Sequence, residues 1–184
     1  MYLLKKMSAI TQLAKLLGDK SKKAKEKVAT IAAWLNDNSL PVTDLIAAAE
    51  KSDEQEKANC IEAMESVTRK NPAIANEKVL TFVTKSLKDP SPRVKWESAR
   101  VIGNIASQFP AKLKNSITFL LDNADHEGTV VRWATALALG EIVKLQTKFN
   151  TDLLPALEAI CEREENQGVK KKYVDAIKKV KRKK

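Results

Sequence analysis

The 184-residue sequence predicts an all-α fold, a right-handed α-α superhelix of about five antiparallel helix pairs. Glycine (5) and proline (6) are scarce, which is typical of helices joined by short loops rather than of a turn-rich β fold. A sequence pattern recurs every 37 or 38 residues along most of the chain. Within each copy, the apolar residues follow the helical period. A helix pair alone cannot bury all of its apolar surface, so the copies must stack on one another.

The repeat is clearest in its third and fourth copies, where Val94-Lys95-Trp96 aligns with Val131-Arg132-Trp133 and Gly103 aligns with Gly140. The residues of each copy are numbered from position 0, which is Ala24, Glu56, Val94, Val131 and Val169 in the five copies. Position 1 is basic in every copy, and positions 0, 5, 7, 8 and 11 are apolar in 24 of 25 cases. This spacing predicts a helix with one broad buried face, the second helix of each pair.

Another amphipathic segment precedes each of these helices, and turn residues such as Asp89-Pro90-Ser91-Pro92 separate the two. The predicted repeats cover residues 1–38, 41–71, 75–109, 112–147 and 151–182. No linker divides the sequence, so we expect a single domain over residues 1–184 with a basic C-terminal tail at 181–184.

Two glycines at one offset predict a close helix–helix contact. Gly103 and Gly140 lie inside predicted helices, where a glycine costs about 1 kcal/mol relative to alanine. We therefore expect each to face a neighbouring helix that leaves no room for a Cβ. Trp96 and Trp133 share a second offset and are expected to pack in the same way, with paired stacking residues as the alternative. In the last copy these offsets hold Lys171 and Lys178, which is typical of a terminal cap.

The third and fourth copies resemble HEAT repeats. Asp89 followed by Val94-Lys95 resembles that family's Asp…Val-Arg/Lys signature at the start of the second helix, and Val131-Arg132 repeats its second half. Pro155 is similar to the proline in the family's first helix. The resemblance implies a solenoid of helix pairs in which Asp89, Lys95 and Arg132 have structural roles. It also implies binding more often than catalysis.

One further face of each second helix is predicted to line the inner curve of the array. We expect a binding groove there, and the alternative is an ordinary solvated face of mixed charge. Trp34 would anchor a peptide or stack on a base if exposed, whereas a register starting at Lys23 would place it in the core. The candidate groove residues are Trp34, Glu62, Arg69, Arg100, Asn104, Glu141 and Lys144.

Positive charge is concentrated at the end of the sequence. The net charge is +10, and residues 169–184 carry nine Lys or Arg and one Asp. Such a helix would bind phosphates of nucleic acid, an acidic protein or an anionic membrane surface, and the alternative is a solubilising cap. The candidate anion-binding and nucleic-acid-binding residues are Lys170, Lys171, Lys172, Lys178, Lys179, Lys181, Arg182, Lys183 and Lys184.

The sequence offers little catalytic chemistry. Two cysteines and one histidine are too few for a Cys/His metal site, and no glycine-rich phosphate loop or nucleophile motif is present. We expect no catalytic residue, metal or cofactor. His126 is expected in a capped turn rather than an acid–base cluster, and Cys60 and Cys161 as small apolar core residues. An acidic run is expected to be solvated: Glu162, Glu164 and Glu165.

These observations predict a non-enzymatic, monomeric scaffold that presents a concave helix face and a basic last repeat to a protein or polyanionic partner. Another protein is the expected partner and nucleic acid the alternative. No apolar run reaches the ~20 residues of a membrane span, and no signal peptide is evident, so a cytoplasmic location is expected. The alternative function resembles that of HEAT-like alkylpurine DNA glycosylases, with Trp34 and Glu62 or Glu97 acting on a base.

Overall fold

The computed structural model describes residues 8–182. Residues 1–7, at the start of the predicted first repeat, and the candidate residues Lys183 and Lys184 lie outside the described residues. Within residues 8–182 the chain forms helices and no strand, which confirms the predicted all-α superhelix. The helices are α1 (Ala9–Gly18), α2 (Ala24–Asn36), α3 (Val42–Ala49), α4 (Glu54–Thr68), α5 (Glu77–Ser86), α6 (Pro92–Ile105), α7 (Lys114–Asn123), α8 (Thr129–Val143), α9 (Asn150–Arg163) and α10 (Gln167–Lys181).

Side-chain caps fix where most of the second helices begin. Asp53 accepts a hydrogen bond from the Glu56 N–H at 2.8 Å, and Asn166 accepts one from the Val169 N–H at 3.1 Å. Ser91 caps α6 in the same way. Each cap lies three residues before position 0, and it satisfies an amide that the first helical turn leaves unpaired.

The helices form two layers, one of first helices and one of second helices. The strongest contacts between helices join α2 to α4, α4 to α6, α6 to α8 and α8 to α10. Contacts between successive first helices, such as α1 with α3 and α5 with α7, are much sparser. In a curved double layer, the more closely packed layer lies on the inner side. The second helices therefore line the inner curve.

The apolar core runs between the two layers from α1 to α10. All five predicted apolar positions are buried in the third and fourth copies, and four of the five in the fifth, where Val174 is half-buried. This burial explains why the stacked pairs are stable although no single pair has a closed core.

The predicted register of the first copy agrees with the burial at its later positions but not at its start. Ile31, Ala32 and Leu35 are buried as predicted, whereas Ala29 was expected to be buried and is exposed. The Lys27 Nζ donates to the Leu17 carbonyl, as the Lys95 Nζ does to a carbonyl of its own first helix, so Lys27 and not Lys25 makes the contact expected of position 1. The Glu26 carboxylate accepts the Lys23 N–H and sets the start of α2.

Candidate binding groove

Glycines hold the inner layer together at two equivalent contacts. A Cβ on Gly103 would lie 3.3 Å from the Ala138 Cα, and a Cβ on Gly140 would lie 3.2 Å from the Ala176 Cβ. Both distances are shorter than ordinary van der Waals contacts between such atoms. The prediction that a neighbouring helix approaches too closely for a Cβ is confirmed at both glycines.

A ladder of polar contacts joins position 1 of each middle repeat to the next repeat. The Lys57 ammonium lies 2.7 Å from Asp89, and the Arg132 guanidinium lies 2.9 Å from Glu164. Between them, the Lys95 Nζ donates to the Asn123 Oδ1 at 3.2 Å. The structural roles predicted for Asp89, Lys95 and Arg132 are therefore present, with an amide replacing one carboxylate.

Glu164 was expected to be solvated, and this prediction is wrong because the residue is only 7% exposed. Burial by itself would raise the pKa of Glu164, but hydrogen bonds from Arg132 and from the Asn166 N–H outweigh it and lower the pKa. Glu164 therefore stays ionised and links α8 to the turn between α9 and α10.

Charged side chains on the inner face of repeats two and three form ion pairs with one another. Arg93 lies 2.5 Å from Glu62 and also donates to the Asn59 Oδ1 at 2.9 Å. Arg100 lies 2.9 Å from Glu65 and 3.1 Å from Glu97. The carboxylates here are therefore already paired within the protein.

Two candidate groove residues of this region, Asn104 and Arg69, differ in their availability. The Asn104 Nδ2 donates to the Glu65 carbonyl at 3.3 Å and to the Thr68 Oγ1 at 3.2 Å, so it links α6 to α4. The Arg69 side chain is 57% exposed, and its contact with Glu65 is long, at 3.9 Å. Most of the Arg69 side chain therefore faces solvent. Asn104 is primarily a packing residue, and Arg69 remains accessible.

Trp96 and Glu97 form the one tryptophan–carboxylate hydrogen bond seen among residues 8–182, with the Trp96 Nε1 donating at 2.8 Å. Glu97 is 4% exposed. Burial raises its pKa, although the Trp96 hydrogen bond and Arg100 oppose the effect. A carboxylate so enclosed is poorly placed to reach a substrate in solution.

Trp34 is half-buried against the core, not free on the inner face. This contact agrees with the alternative interpretation of Trp34 as a packing residue. The register starting at Lys23 is not observed, because Lys23 is exposed and Thr30 is only half-buried. Trp96 and Trp133 are likewise half-buried against the core, in agreement with their predicted packing role.

Repeats four and five expose a different surface. Glu141 and Lys144 form an ion pair, and the Lys172 ammonium lies 4.9 Å from the centre of the Trp133 ring. Val130, 54% exposed, is one of the two exposed large apolar side chains in the described part of the chain. This region combines apolar surface with positive charge.

The candidate anion-binding residues lie around α10 with different exposures. Lys170 and Lys172 are half-buried, whereas Lys171, Lys178, Lys179 and Arg182 are exposed. Lys181 is exposed and lies 2.7 Å from Glu158, so its charge is paired. Both predicted outer-side lysines of this repeat, Lys171 and Lys178, do face solvent.

The remaining chemistry-bearing residues fit structural roles. The His126 Nδ1 accepts the Gly128 N–H at 2.9 Å and its carbonyl accepts from Arg132, which is the predicted capped turn. Cys60 is buried, which together with Glu56 raises the pKa of its thiol to about 12. Within residues 8–182, no group of three or more His, Cys, Asp or Glu is arranged to hold a metal ion, and no helix is long and apolar enough to cross a membrane.

The sequence matches the family model for HEAT repeats over residues 42–140 and again over residues 81–178. The chain belongs to the HEAT-repeat family. A search of curated proteins found no match to this HEAT-repeat chain. The polar ladder runs through the segment that the family model covers, so the signature seen in the sequence corresponds to real contacts between repeats.

Solved structures similar to this HEAT-repeat chain include designed armadillo repeat proteins. One, described as YIII(Dq)4CqI, is 22% identical, with a TM-score of 0.67 over 94% of this chain and 82% of that one. Another, described as a designed armadillo repeat protein in complex with peptide (KR)4, is 23% identical, with a TM-score of 0.70 over the same shares of the two chains. At these identities the likeness shows the fold alone.

Proposed function

We propose that this chain is a non-enzymatic scaffold that binds another protein along the inner face of its second helices. The observation that carries the proposal is the continuous inner layer from α2 to α10, which glycine contacts and a polar ladder hold in a fixed shape. Concave surfaces of stacked repeats commonly serve as binding sites. One of the similar folds is described with a bound peptide, which supports a peptide or protein partner.

The test is capture of partners from cell lysate on the immobilised full chain, with and without nuclease. Arg69→Glu and Lys179→Glu change exposed side chains of the inner layer, and Lys85→Glu makes the same charge change on the outer helix α5. We expect the inner-face variants to lose captured proteins and the Lys85 variant to retain them, whether or not nuclease is added. Equal capture by all variants would contradict the proposal.

The second candidate is nucleic-acid binding through the outer side of α10. Lys171 and Lys178 are exposed there, and no carboxylate of residues 8–182 is within ion-pair distance of them. Phosphate binding would give an affinity for a DNA oligonucleotide that falls steeply with salt. It would also weaken in a Lys171→Glu/Lys178→Glu variant. A flat salt dependence excludes this candidate.

Base removal from DNA is disfavoured by the state of its candidate residues. Trp34 is packed against the core, Glu62 is paired with Arg93, and Glu97 is enclosed by Trp96 and Arg100. We expect no release of methylated purines when the protein is incubated with methylated duplex DNA. Release that is abolished by Glu97→Gln would overturn the non-enzymatic assignment.

A further inference from the structure

The charge on the inner face is distributed unevenly along the array. In repeats two and three, three glutamates are matched by three arginines, and each takes part in an ion pair. In repeats four and five, four cations face two acids, and only Lys144 with Glu141 is paired. The four cations are Lys144, Lys172, Lys179 and Arg182, and the two acids are Glu141 and Asp175.

Three of these cations meet at one cavity. A cavity of about 250 Å³ lies between the ends of α8 and α10, lined by Lys144, Lys179, Arg182 and Val180. Among residues 8–182, no carboxylate is within ion-pair distance of Lys179 or Arg182. The cavity lining itself is mostly apolar, formed by the carbon chains of these residues and Val180. Lys179 and Arg182 are exposed, so an anionic group of a partner would meet their unneutralised charge beside the cavity.

The opposite end of the same surface is apolar. Val130 is exposed and Leu137 half-buried at helical spacing on the stripe of α8 that continues through Glu141 to Lys144, and Ala134 between them is buried. Val130 stands one residue before position 0, as Arg93 does in repeat three, where the arginine lies over the inner-face residues of repeat two. The exposed Val130 is therefore on the inner face.

We propose that this apolar–cationic surface binds an extended acidic peptide segment of a partner protein, anchored by an apolar side chain at Val130 and Leu137 and by carboxylates at Lys144, Lys179 and Arg182. The inference rests on the proposed protein-binding function and names the chemistry of the partner. From Val130 to Lys144 the helix rises about 21 Å. About six extended residues span that distance, so the peptide carries its carboxylates about six residues from its apolar anchor.

A single-stranded nucleic acid fits this surface less well. Bases bind such grooves by stacking on open aromatic rings. The ring of Trp133 is packed against the core, and the Lys172 ammonium lies over it, so the described part of this surface offers no open tryptophan ring. An apolar anchor beside cations instead matches a peptide that combines apolar and acidic side chains.

The test is selection of a phage-displayed library of random 12-residue peptides on the full-length protein. We expect the enriched peptides to share an apolar residue and an acidic cluster. A fluorescently labelled enriched peptide should bind on the order of tenfold more weakly to the Lys179→Glu/Arg182→Glu variant than to the unsubstituted protein, because two attractive contacts become repulsive. Val130→Ser alters an exposed residue and should also weaken binding. The control Lys78→Glu/Lys85→Glu makes the same charge change at exposed residues of the outer helix α5 and should bind normally.

The other outcomes separate this inference from the proposed function. Enriched peptides without acidic residues, or binding lost equally in the control variant, would overturn the inference and leave peptide binding by the scaffold intact. Failure to enrich any peptide would count against both. Binding of a fluorescent 20-nucleotide single-stranded DNA that is sensitive to Lys179→Glu/Arg182→Glu, without enrichment of acidic peptides, would replace the peptide by nucleic acid.

Discussion

Replacing Gly140 by alanine tests whether close packing of the second helices determines the stability of the array. A methyl group would gain up to about 1 kcal/mol in helix propensity. It would also lie 3.2 Å from the Ala176 Cβ, and overfilling a packed interface costs about 1–3 kcal/mol. We expect a net loss of about 1 kcal/mol in the free energy of unfolding, which for a chain of this length lowers Tm by about 2–4 °C. Thermal melts followed by circular dichroism measure the change.

Gly18 is the matched control, because a Cβ there would meet no atom of residues 8–182 within 4 Å. Gly18→Ala lies at the end of α1 and is expected to raise the unfolding free energy by up to about 1 kcal/mol. If Gly140→Ala is as stabilising as Gly18→Ala, the second helices are not in limiting contact and the reasoning is refuted.

A second substitution localises the clash. Because the contact atom is a Cβ, Ala176→Gly should relieve Gly140→Ala, giving a coupling energy of about 1 kcal/mol in a double-mutant cycle. At Gly103 the nearest atom is instead the Ala138 Cα, which no substitution removes. Ala138→Gly should therefore relieve Gly103→Ala much less. Equal coupling at the two sites would contradict the geometry.

Three further predictions concern buried polar groups. Tyr173→Phe removes a buried hydroxyl that has no hydrogen-bond partner among residues 8–182, so we expect the unfolding free energy in urea to rise by about 1 kcal/mol, and a decrease would indicate a missed partner. Because the pKa of Glu164 is lowered in the folded state, ionised Glu164 stabilises that state fully at pH values above the ordinary carboxyl pKa. This stabilisation is lost as the pH falls through the lowered pKa. Glu164→Gln should flatten the loss of stability below about pH 5, whereas the exposed Glu162→Gln should not. Cys161 should react with a thiol reagent at pH 8 before Cys60, whose pKa of about 12 and burial should delay labelling until unfolding.

The contacts predicted best from the sequence are those that recur. Gly103 and Gly140 share an offset, and two costly glycines at one place in a helix indicate a close neighbour whatever the rest of the sequence is. The same logic succeeded only in part in the first copy, where alanines and lysines are so frequent that several registers fit the sequence. Ile31 and Leu35 are buried as predicted but Ala29 is not, and the hydrogen bond from the Lys23 N–H to Glu26 is what sets the helix start.

The candidate site was harder to predict because its contacts join residues about 30 to 40 positions apart in sequence. Helical spacing places Arg100 and Asn104 on the inner face but does not show that Glu65 and its carbonyl already occupy them. Glu164 is a partial exception, since it stands at the position that Asp89 holds in the third repeat. The sequence shows this equivalence, and the burial of Glu164 against Arg132 confirms it.

The polar ladder has a mechanical consequence. Its rungs from Lys57 and Arg132 are mostly shielded from solvent, so dissolved salt weakens them little and bending the array requires breaking them. The spacing between successive repeats is therefore held nearly constant under load. A repeat array with fixed spacing selects bound segments by length as well as by chemistry. A segment whose contact groups are one residue too close together cannot reach both ends of the binding surface.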